Sequence, residues 1–158
     1  MSVRARVMTI SNRASAGVYA DTGGPIIVSA LRELGCEVDD PVLVPDGEHV
    51  ARALQRAVAA RFEVVVTTGG TGLTPLDLTP EMTRRVISRE VPGIAEAIRA
   101  YGVAAGVPTA MLSRGLAGVA GHTLIVNLPG SAGGVRDGLA VLGPVLLHAV
   151  DQIRGGDH

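Results

Sequence analysis

The chain has 158 residues, of which 47% are hydrophobic and 18% charged, and it carries a net charge of −1. This composition is typical of a single globular domain spanning residues 1–158, and it excludes a disordered chain. The lack of a basic excess argues against a nucleic-acid partner, and the lack of a run of about twenty apolar residues argues against a membrane span. Because the first residues also lack an apolar signal core, we expect a cytoplasmic protein with a small ligand.

The first part of the chain alternates between strand and helix patterns, which is typical of a mainly parallel sheet. Residues 6–11 predict the first strand, and a loop over residues 12–24 follows. An amphipathic helix is predicted to begin near Pro25, because apolar residues recur there every three or four positions. Residues 38–44 predict an extended edge segment that is interrupted by Pro41.

The middle of the chain contains the predicted central strand, residues 63–68, whose apolar β-branched centre is typical of a strand covered on both faces. A second amphipathic helix precedes it and starts after Asp46. The Thr-Pro-Glu triplet at residues 79–81 predicts a further helix start, with the threonine as cap and the proline in the first turn. The Pro-Gly pair at residues 92–93 is predicted to break that helix before another one follows.

The last part of the chain predicts two strands, residues 110–119 and 123–128, joined near Gly121. A long helix over residues 135–153 follows, and the Gly-Pro pair at residues 143–144 is predicted to kink or split it. The whole pattern indicates the α/β class, with a mostly parallel sheet and helices on both of its faces.

The sharpest motif is the glycine turn Gly-Gly-Thr-Gly at residues 69–72, which ends the predicted central strand. In open parallel sheets, ligands bind beyond the carboxyl ends of the strands, where segments 11–17 and 127–131 are also expected. Glycines let successive backbone N–H groups point at one anion. We therefore favour a phosphate site over a tight turn without a ligand, with Thr68 and Thr71 supplying further hydroxyl donors.

Two aspartates are expected near the glycine turn. Asp77 follows the turn by five residues, and Asp46 precedes the second helix. Either residue can be a plain turn or helix-capping aspartate. Beside an anion site, the pair can instead hold Mg²⁺ against bound phosphates, which suits metal-assisted phosphoryl or nucleotidyl transfer. Both interpretations are open from the residues alone.

Other polar residues leave fewer options. Arg114, in the Ser-Arg pair on a predicted strand, is either solvated or a phosphate clamp, because its guanidinium can bind phosphate through two parallel hydrogen bonds. Asp21 is expected to be solvated. All 14 basic residues are arginine, which excludes Schiff-base and Walker-type lysine chemistry. The lone Cys36 is expected to pack as a small buried hydrophobe.

Several segments occur together at characteristic spacing: Ser11-Asn12-Arg13, Val44-Pro45-Asp46, Thr67-Thr68-Gly69-Gly70-Thr71-Gly72, Asp77, Thr79-Pro80-Glu81, Leu112-Ser113-Arg114 and Asn127-Leu128-Pro129-Gly130. In the same order and over essentially the whole chain, they resemble the MogA/MoaB family of molybdenum cofactor biosynthesis. The resemblance implies that family's fold, a three-layer α/β/α sandwich.

The resemblance also implies an enzyme, a Mg²⁺-dependent molybdopterin adenylyltransferase of the MogA type. Such an enzyme transfers AMP from ATP to molybdopterin and releases pyrophosphate, and the family forms homo-oligomers, either trimers or hexamers. Asp46 and Asp77 match the family's essential aspartates, so the resemblance gives them catalytic and metal-binding roles. The residues implied in substrate binding are Ser11, Gly69, Gly70, Thr71, Gly72, Ser113, Pro129 and Gly130.

The chain departs from the family pattern at two positions. Leu76 stands where members often have arginine, and Asn12 stands where they often have aspartate. Both changes favour a second hypothesis, a non-catalytic MoaB-like paralogue that binds molybdopterin without activating it. A third hypothesis, a scaffold module, has less support because no interaction tail is evident.

Overall fold

One sheet runs through the molecule. The computed structural model describes residues 2–17 and 20–157. Val18 and Tyr19 of the predicted first loop lie outside the described residues. The described strands are β1 (Arg4–Ile10), β2 (Glu37–Val38), β3 (Val42–Val44), β4 (Val64–Thr68), β5 (Arg89–Glu90), β6 (Ala117–Ala120) and β7 (Thr123–Leu128). The helices are α1 (Asn12–Ser15), α2 (Gly23–Glu33), α3 (Glu48–Ala59), α4 (Thr79–Arg84), α5 (Pro92–Ala104) and α6 (Ala132–Ile153), with a 3₁₀ helix at Pro108–Leu112.

The strand order is β2-β1-β4-β7-β6-β5, and β3 also pairs with β1. Four pairings are parallel: β1 pairs in this way with β2, β3 and β4, and β4 pairs in this way with β7. The other edge is antiparallel, because β6 turns back onto β7 and β5 turns back onto β6. The prediction of a mostly parallel sheet is therefore confirmed.

Helices cover both faces of this sheet. On one face, α2, α5 and α6 bury Leu31, Ile98 and Leu142 against β-strand residues such as Val66. On the other face, α3 and α4 cover a second core that contains Val65, Ile125 and Leu54. The three-layer α/β/α sandwich is confirmed, and the central strand β4 is buried along its whole length, as its β-branched sequence predicted.

The predicted strand at residues 110–119 is wrong in its first half. Pro108 starts the 3₁₀ helix at Pro108–Leu112, because its ring fixes a helical φ. Arg99 of α5 then holds the segment, donating hydrogen bonds to the carbonyl oxygens of Ser113 and Gly115. Only β6 remains extended, so the Ser-Arg pair lies in a loop rather than on a strand.

Three local predictions about helices also need correction. Leu78, not Thr79, occupies the N-cap of α4, and no side chain caps that helix. The helix already ends at Arg84, so the Pro-Gly pair at residues 92–93 starts α5 instead of breaking α4. Pro144 lies inside α6 without splitting it, since the 22-residue helix continues to Ile153.

Candidate functional site

The carboxyl ends of β1, β4 and β7 lie side by side at one edge of the sheet. Thr9 of β1 pairs with Thr68 of β4, and Thr68 pairs with Leu128 of β7. The loops that follow these strands therefore start next to one another. This arrangement brings together the three segments that the sequence analysis expected at one edge.

The glycine turn presents a row of backbone donors. Gly69 and Gly70 have positive φ angles of 98° and 69°, a region that L side chains rarely enter. The Gly69 N–H donates to the carbonyl oxygen of Leu128 at 3.1 Å and is therefore occupied. The N–H groups of Gly70, Thr71 and Gly72 hydrogen bond to no acceptor within residues 2–17 and 20–157. Three adjacent free donors are the basis of an anion-binding nest.

The two threonines of the turn differ in their bonding. Thr68 donates its hydroxyl hydrogen to the carbonyl oxygen of Pro129 at 2.6 Å, so it joins two loops and is not a free donor for a ligand. Thr71 accepts a hydrogen bond from Ser113 Oγ at 3.2 Å. The expectation that both hydroxyls serve the ligand is therefore wrong for Thr68, whose hydrogen is already engaged.

Two cavities meet at this edge. A cavity of about 510 Å³ is lined by Gly69, Gly70, Thr71, Gly72, Leu73, Asp77, Thr109, Leu112, Ser113, Pro129, Gly130 and Ser131. A smaller one of about 190 Å³ lies beside Ser11, Asp21 and Thr68. Both cavities include Gly69 and Gly130, and an added Cβ on Gly130 would lie 3.4 Å from the Gly69 Cα. The backbones of Gly69 and Gly130 therefore lie close together between the two cavities.

Asp46 is placed by the loop between β3 and α3. Its backbone N–H donates to Asn12 Oδ1 at 3.0 Å, so the loop after β1 fixes its position. An added Cβ on Gly70 would lie 3.2 Å from Asp46 Oδ1, which puts the carboxylate directly against the glycine turn. Burial raises the pKa of Asp46 above its ordinary range, and the negative charge of Asp77 raises it further.

Asp77 closes the loop that follows the glycine turn. Its Oδ2 accepts hydrogen bonds from the N–H of Thr74 at 3.0 Å and from its hydroxyl at 2.8 Å. The same oxygen would lie 2.8 Å from a Cβ added to Gly72. The residue is therefore the turn aspartate that the sequence allowed and also a carboxylate at the mouth of the site.

The two carboxylates suit a divalent cation by the chemistry of their oxygen atoms. The two aspartates contact neighbouring glycines of one turn, and their charges are close enough to raise the pKa of Asp46. In the part of the chain that the structure describes, no third acidic, histidine or cysteine side chain joins them. Mg²⁺ commonly binds through one or two carboxylates and takes its remaining ligands from water and substrate phosphates. Asp46 and Asp77 are therefore a suitable pair for Mg²⁺ beside a nucleotide.

Arg114 holds the glycine loop in shape. Its Nε donates to the carbonyl oxygen of Gly72 at 2.9 Å, and its Nη2 donates to that of Asp77 at 2.6 Å. Its Nη1 pairs with Glu81 at 2.6 Å, and this hydrogen bond lowers the pKa of the Glu81 carboxyl. From the sequence, Arg114 is expected to be solvated or to clamp a phosphate, and this loop-bracing role is not predicted. Its main acceptors are backbone carbonyls, which leave no mark in the sequence.

The remaining predicted residues lie around the same cavities. Ser11 caps α1 by accepting the N–H of Ala14 at 3.2 Å, and it lines the smaller cavity. Ser113, Pro129 and Gly130 line the larger one. Asp21 is not simply solvated, since it accepts a hydrogen bond from Thr9 at 2.9 Å and another from the Gly24 N–H at 3.0 Å.

Ser131, the residue before α6, also lines the larger cavity, and the sequence alone gives the start of this helix no role. Ser131 Oγ accepts the N–H of Gly134 at 3.0 Å and so caps the helix. The N–H groups of Ala132 and Gly133 donate to no acceptor among the residues described. Free N–H groups at a helix start favour an anion. The sequence feature that could have indicated this helix start is the Ser-x-x-Gly pattern after a strand.

The two departures from the family pattern have different surroundings. Leu76 is 63% exposed on the glycine loop, so its side chain contributes little packing there. Asn12 uses its side-chain oxygen to hold the Asp46 backbone, a contact that an aspartate could also make. The departure at Asn12 is therefore structurally conservative, whereas the one at Leu76 removes a charge.

Comparison with known proteins agrees with this architecture. The family described as a probable molybdopterin binding domain matches residues 6–148. The molybdopterin adenylyltransferase of Helicobacter pylori strain J99 is 36% identical over 94% of this chain and 86% of its own length. The Mog molybdopterin biosynthesis protein of Mycobacterium ulcerans superposes with a TM-score of 0.92 at 51% identity, covering 96% of this chain and 99% of that one.

Some relatives are much longer. The molybdenum cofactor biosynthesis bifunctional protein of Chlorobaculum tepidum is 35% identical over 98% of this chain but only 50% of its own length. The chain thus spans about half of that relative.

In the residues described, no helix combines the length and apolarity needed to cross a membrane.

Proposed function

The chain belongs to the molybdopterin binding domain family, and on that premise we propose that it is a Mg²⁺-dependent molybdopterin adenylyltransferase. It acts in molybdenum cofactor biosynthesis, with ATP and molybdopterin as its substrates. The observation that carries the proposal is the meeting of three free N–H donors at Gly70, Thr71 and Gly72 with the carboxylates of Asp46 and Asp77. An anion nest beside two carboxylates suits a magnesium nucleotide.

The reaction needs no protein nucleophile. A phosphate oxygen of molybdopterin forms a bond to the α-phosphorus of ATP, and the bond from that phosphorus to the β-phosphate oxygen breaks, so pyrophosphate leaves. The protein's task is to hold two anionic reactants together and to balance their charge. The N–H groups of Gly70 to Gly72 hold phosphate oxygens, and Asp46 and Asp77 hold the metal. Mg²⁺, when bound, would supply positive charge that balances the negative charge of the carboxylates and the phosphates.

The larger cavity offers the pterin side of the site. Ser113 lies between the glycine turn and Arg99, and Pro129 and Gly130 form the opposite wall. The free N–H groups at the start of α6 suit the molybdopterin phosphate. Ser11 lines the smaller cavity on the other side of Gly69.

We further propose that the single domain works as a homo-oligomer, a trimer or a hexamer, in the cytoplasm. Exposed apolar side chains around the 3₁₀ helix support an oligomer, because Val107 and Met111 are 45% and 61% exposed. Burial of such side chains between copies is a common reason for oligomerisation.

The test is pyrophosphate release from Mg-ATP, measured with and without molybdopterin, for the wild type, Asp46→Asn and Asp77→Asn. We expect molybdopterin-dependent release that falls about 100-fold or more in either variant, as for other losses of charge stabilisation in a transition state. Asp151→Asn is the matched control, since Asp151 lies at the opposite end of α6 from the site. It should keep wild-type activity.

The result also separates the competing functions. A folded wild type that binds molybdopterin but releases no pyrophosphate would reject catalysis and favour the binding paralogue. In that case Leu76→Arg, which restores the family's usual residue, is the variant to measure next.

A further inference from the structure

Thr79 carries an unexplained buried hydroxyl. The residue is 0% exposed, and its Oγ1 is buried without a hydrogen-bond partner. A hydroxyl taken from water and left unpaired costs folding free energy, so such groups are rare unless they serve a purpose. Among the buried side chains that the structure describes, it is the single atom of this kind.

The position of the hydroxyl links it to the site. The Thr79 N–H donates to the carbonyl oxygen of Gly70 at 3.1 Å, which holds the start of α4 under the glycine turn. A Cβ added to Gly70 would overlap Thr79 Oγ1 and would lie 3.2 Å from Asp46 Oδ1. Both oxygens therefore lie on the same side of the Gly70 Cα, and glycine at this position leaves the space between them open.

Nearby buried threonines show the contrast. Thr83, one turn further along α4 and also 0% exposed, accepts a hydrogen bond from Asn127 Nδ2 at 3.1 Å. Thr67 accepts one from the same amide at 3.0 Å. The core around α4 therefore satisfies its other hydroxyls, and the exception is the one that faces Asp46.

Asp46 is the partner that this hydroxyl fits. Its carboxylate is half-buried, and its Oδ1 lies with Thr79 Oγ1 on the same side of the Gly70 Cα. Among the residues described, no side chain donates a hydrogen bond to this carboxylate; the donors near it are the backbone N–H groups of Asn12 and of Asp46 itself. One more donor at this carboxylate would stabilise its charged form and fix its orientation.

We propose that Thr79 is a positioning residue for Asp46: in the metal- and nucleotide-loaded state its hydroxyl donates to one carboxylate oxygen and directs the other toward the divalent cation. The inference rests on the proposed function, because it assumes that Asp46 binds the metal. Thr79 itself touches no substrate, since Gly70 lies between it and the cavity. It acts only through Asp46.

The experiment measures binding rather than turnover. Mn²⁺ affinity in the presence of α,β-methylene-ATP is followed by the relaxation of water protons for the wild type, Thr79→Val, Thr79→Ser, Asp46→Asn and the Thr79→Val/Asp46→Asn double variant. Thr79→Val should weaken Mn²⁺ binding about ten-fold, which is what loss of one hydrogen bond to a charged group produces. Thr79→Ser keeps the hydroxyl and should stay within about two-fold of the wild type. The double variant should be no weaker than Asp46→Asn, because the two residues act as one unit.

Thermal unfolding without ligand gives a second readout. Thr79→Val should leave the unfolding midpoint unchanged or raise it, because it removes an unpaired buried polar atom. Thr83→Val is the matched control and should lower the midpoint, because it leaves the Asn127 amide without one of its acceptors.

The following results would contradict either the role of Thr79 or the proposed metal site. Wild-type Mn²⁺ binding by Thr79→Val, or equal weakening by Thr79→Val and Thr79→Ser, would overturn the positioning role. A lowered midpoint for Thr79→Val would show that the hydroxyl is already paired and would also overturn it. Wild-type binding by Asp46→Asn would instead reject the metal site of the proposed function.

Discussion

Asp46 lies in an environment that disfavours the charged form of its carboxyl group. Its carboxylate is partly withdrawn from water and lies near a second negative charge, that of Asp77, and both effects raise its pKa. The folded protein therefore binds a proton at Asp46 more tightly than the unfolded chain does. The position is unfavourable for the free protein, and on the proposed function a bound cation would offset this cost.

Replacing Asp46 with asparagine should therefore stabilise the free protein. Over the pH range from about 4, the ordinary pKa of aspartate, up to the raised value, the wild type loses stability as the pH increases. Asp46→Asn removes this loss, so it should exceed the wild type by a few tenths of a kcal/mol at pH 7, a modest figure because the side chain is partly solvated. The gain should shrink toward pH 4 and below. Urea unfolding at several pH values measures it.

Asp39→Asn is the control for this series, because Asp39 is an exposed residue far from the glycine turn. It should leave the stability of the free protein nearly unchanged at every pH. A loss of stability in Asp46→Asn at pH 7 would contradict the electrostatic argument.

At the scale of elements, the loop between β4 and α4 is held by a residue from a different part of the chain. Arg114 bonds the carbonyl oxygens of Gly72 and Asp77 and the carboxylate of Glu81, and its own N–H donates to the Thr71 carbonyl oxygen at 2.8 Å. The loop carries exposed Leu73 and Leu76, which contribute little packing. Its shape therefore depends on this arginine together with the hydrogen bonds that Thr74 donates to Asp77 within the loop.

Arg114→Lys should loosen the loop while keeping the charge. A lysine has one terminal nitrogen and cannot reach three acceptors with the fork of a guanidinium. We expect a loss of about 1 kcal/mol in the free energy of unfolding and faster hydrogen exchange at the amides of residues 73–78. Weaker Mg-ATP binding should accompany these changes.

Glu81→Gln distinguishes the hydrogen bonds from Arg114 to the loop carbonyls from its ion pair with Glu81. It removes only the exposed salt bridge with Arg114, which is worth little in water. Equal effects of Glu81→Gln and Arg114→Lys on exchange would show that the ion pair, and not the bonds to the loop carbonyls, holds the loop.

The same scale shows where sequence patterns succeed. The β-branched run at residues 63–68 specifies β4, because only a strand covered on both faces is apolar in that way. The segment 110–116 resembles a strand in composition, but Pro108 and the bonds from Arg99 set its path. Those bonds end on backbone carbonyls, so no side-chain pattern predicts them.

For the whole molecule, Arg154 joins three distant parts of the chain. It lies just after α6 and forms two hydrogen bonds with the carboxylate of Glu63, beside the start of β4, and one with the carbonyl oxygen of Ser2. The two charged side chains are 30% and 20% exposed. The contact ties both ends of the described chain to the central strand, at the end of the sheet opposite the site.

Glu63→Gln should lower the unfolding midpoint by about 2–4 °C at neutral pH. The hydrogen bond from Arg154 lowers the pKa of Glu63, so its contribution to stability is present above about pH 4 and is lost as the pH falls through the lowered value. The difference from the wild type should therefore vanish in acid. Glu48→Gln, which breaks a more exposed pair with Arg85, is the comparison and should shift the midpoint less.

The candidate site divides in the same way between what a sequence can and cannot predict. Parallel strands place their loops at one edge, so the meeting of the glycine turn with Pro129 follows from topology. The occupied N–H of Gly69, the engaged hydroxyl of Thr68 and the orphaned one of Thr79 do not follow from it. They depend on ångström-scale contacts between loops that are far apart in the sequence.

The thin partition between the two cavities has a kinetic consequence. Where Gly69 packs against Gly130, the two backbones lie close together between one chamber and the other. On the proposed function, the nucleotide turn and the pterin-side residues line the larger chamber together, so the two reactants would share one open chamber. Such a layout favours a random order of arrival, because neither reactant has to pass the contact between Gly69 and Gly130 to reach its place.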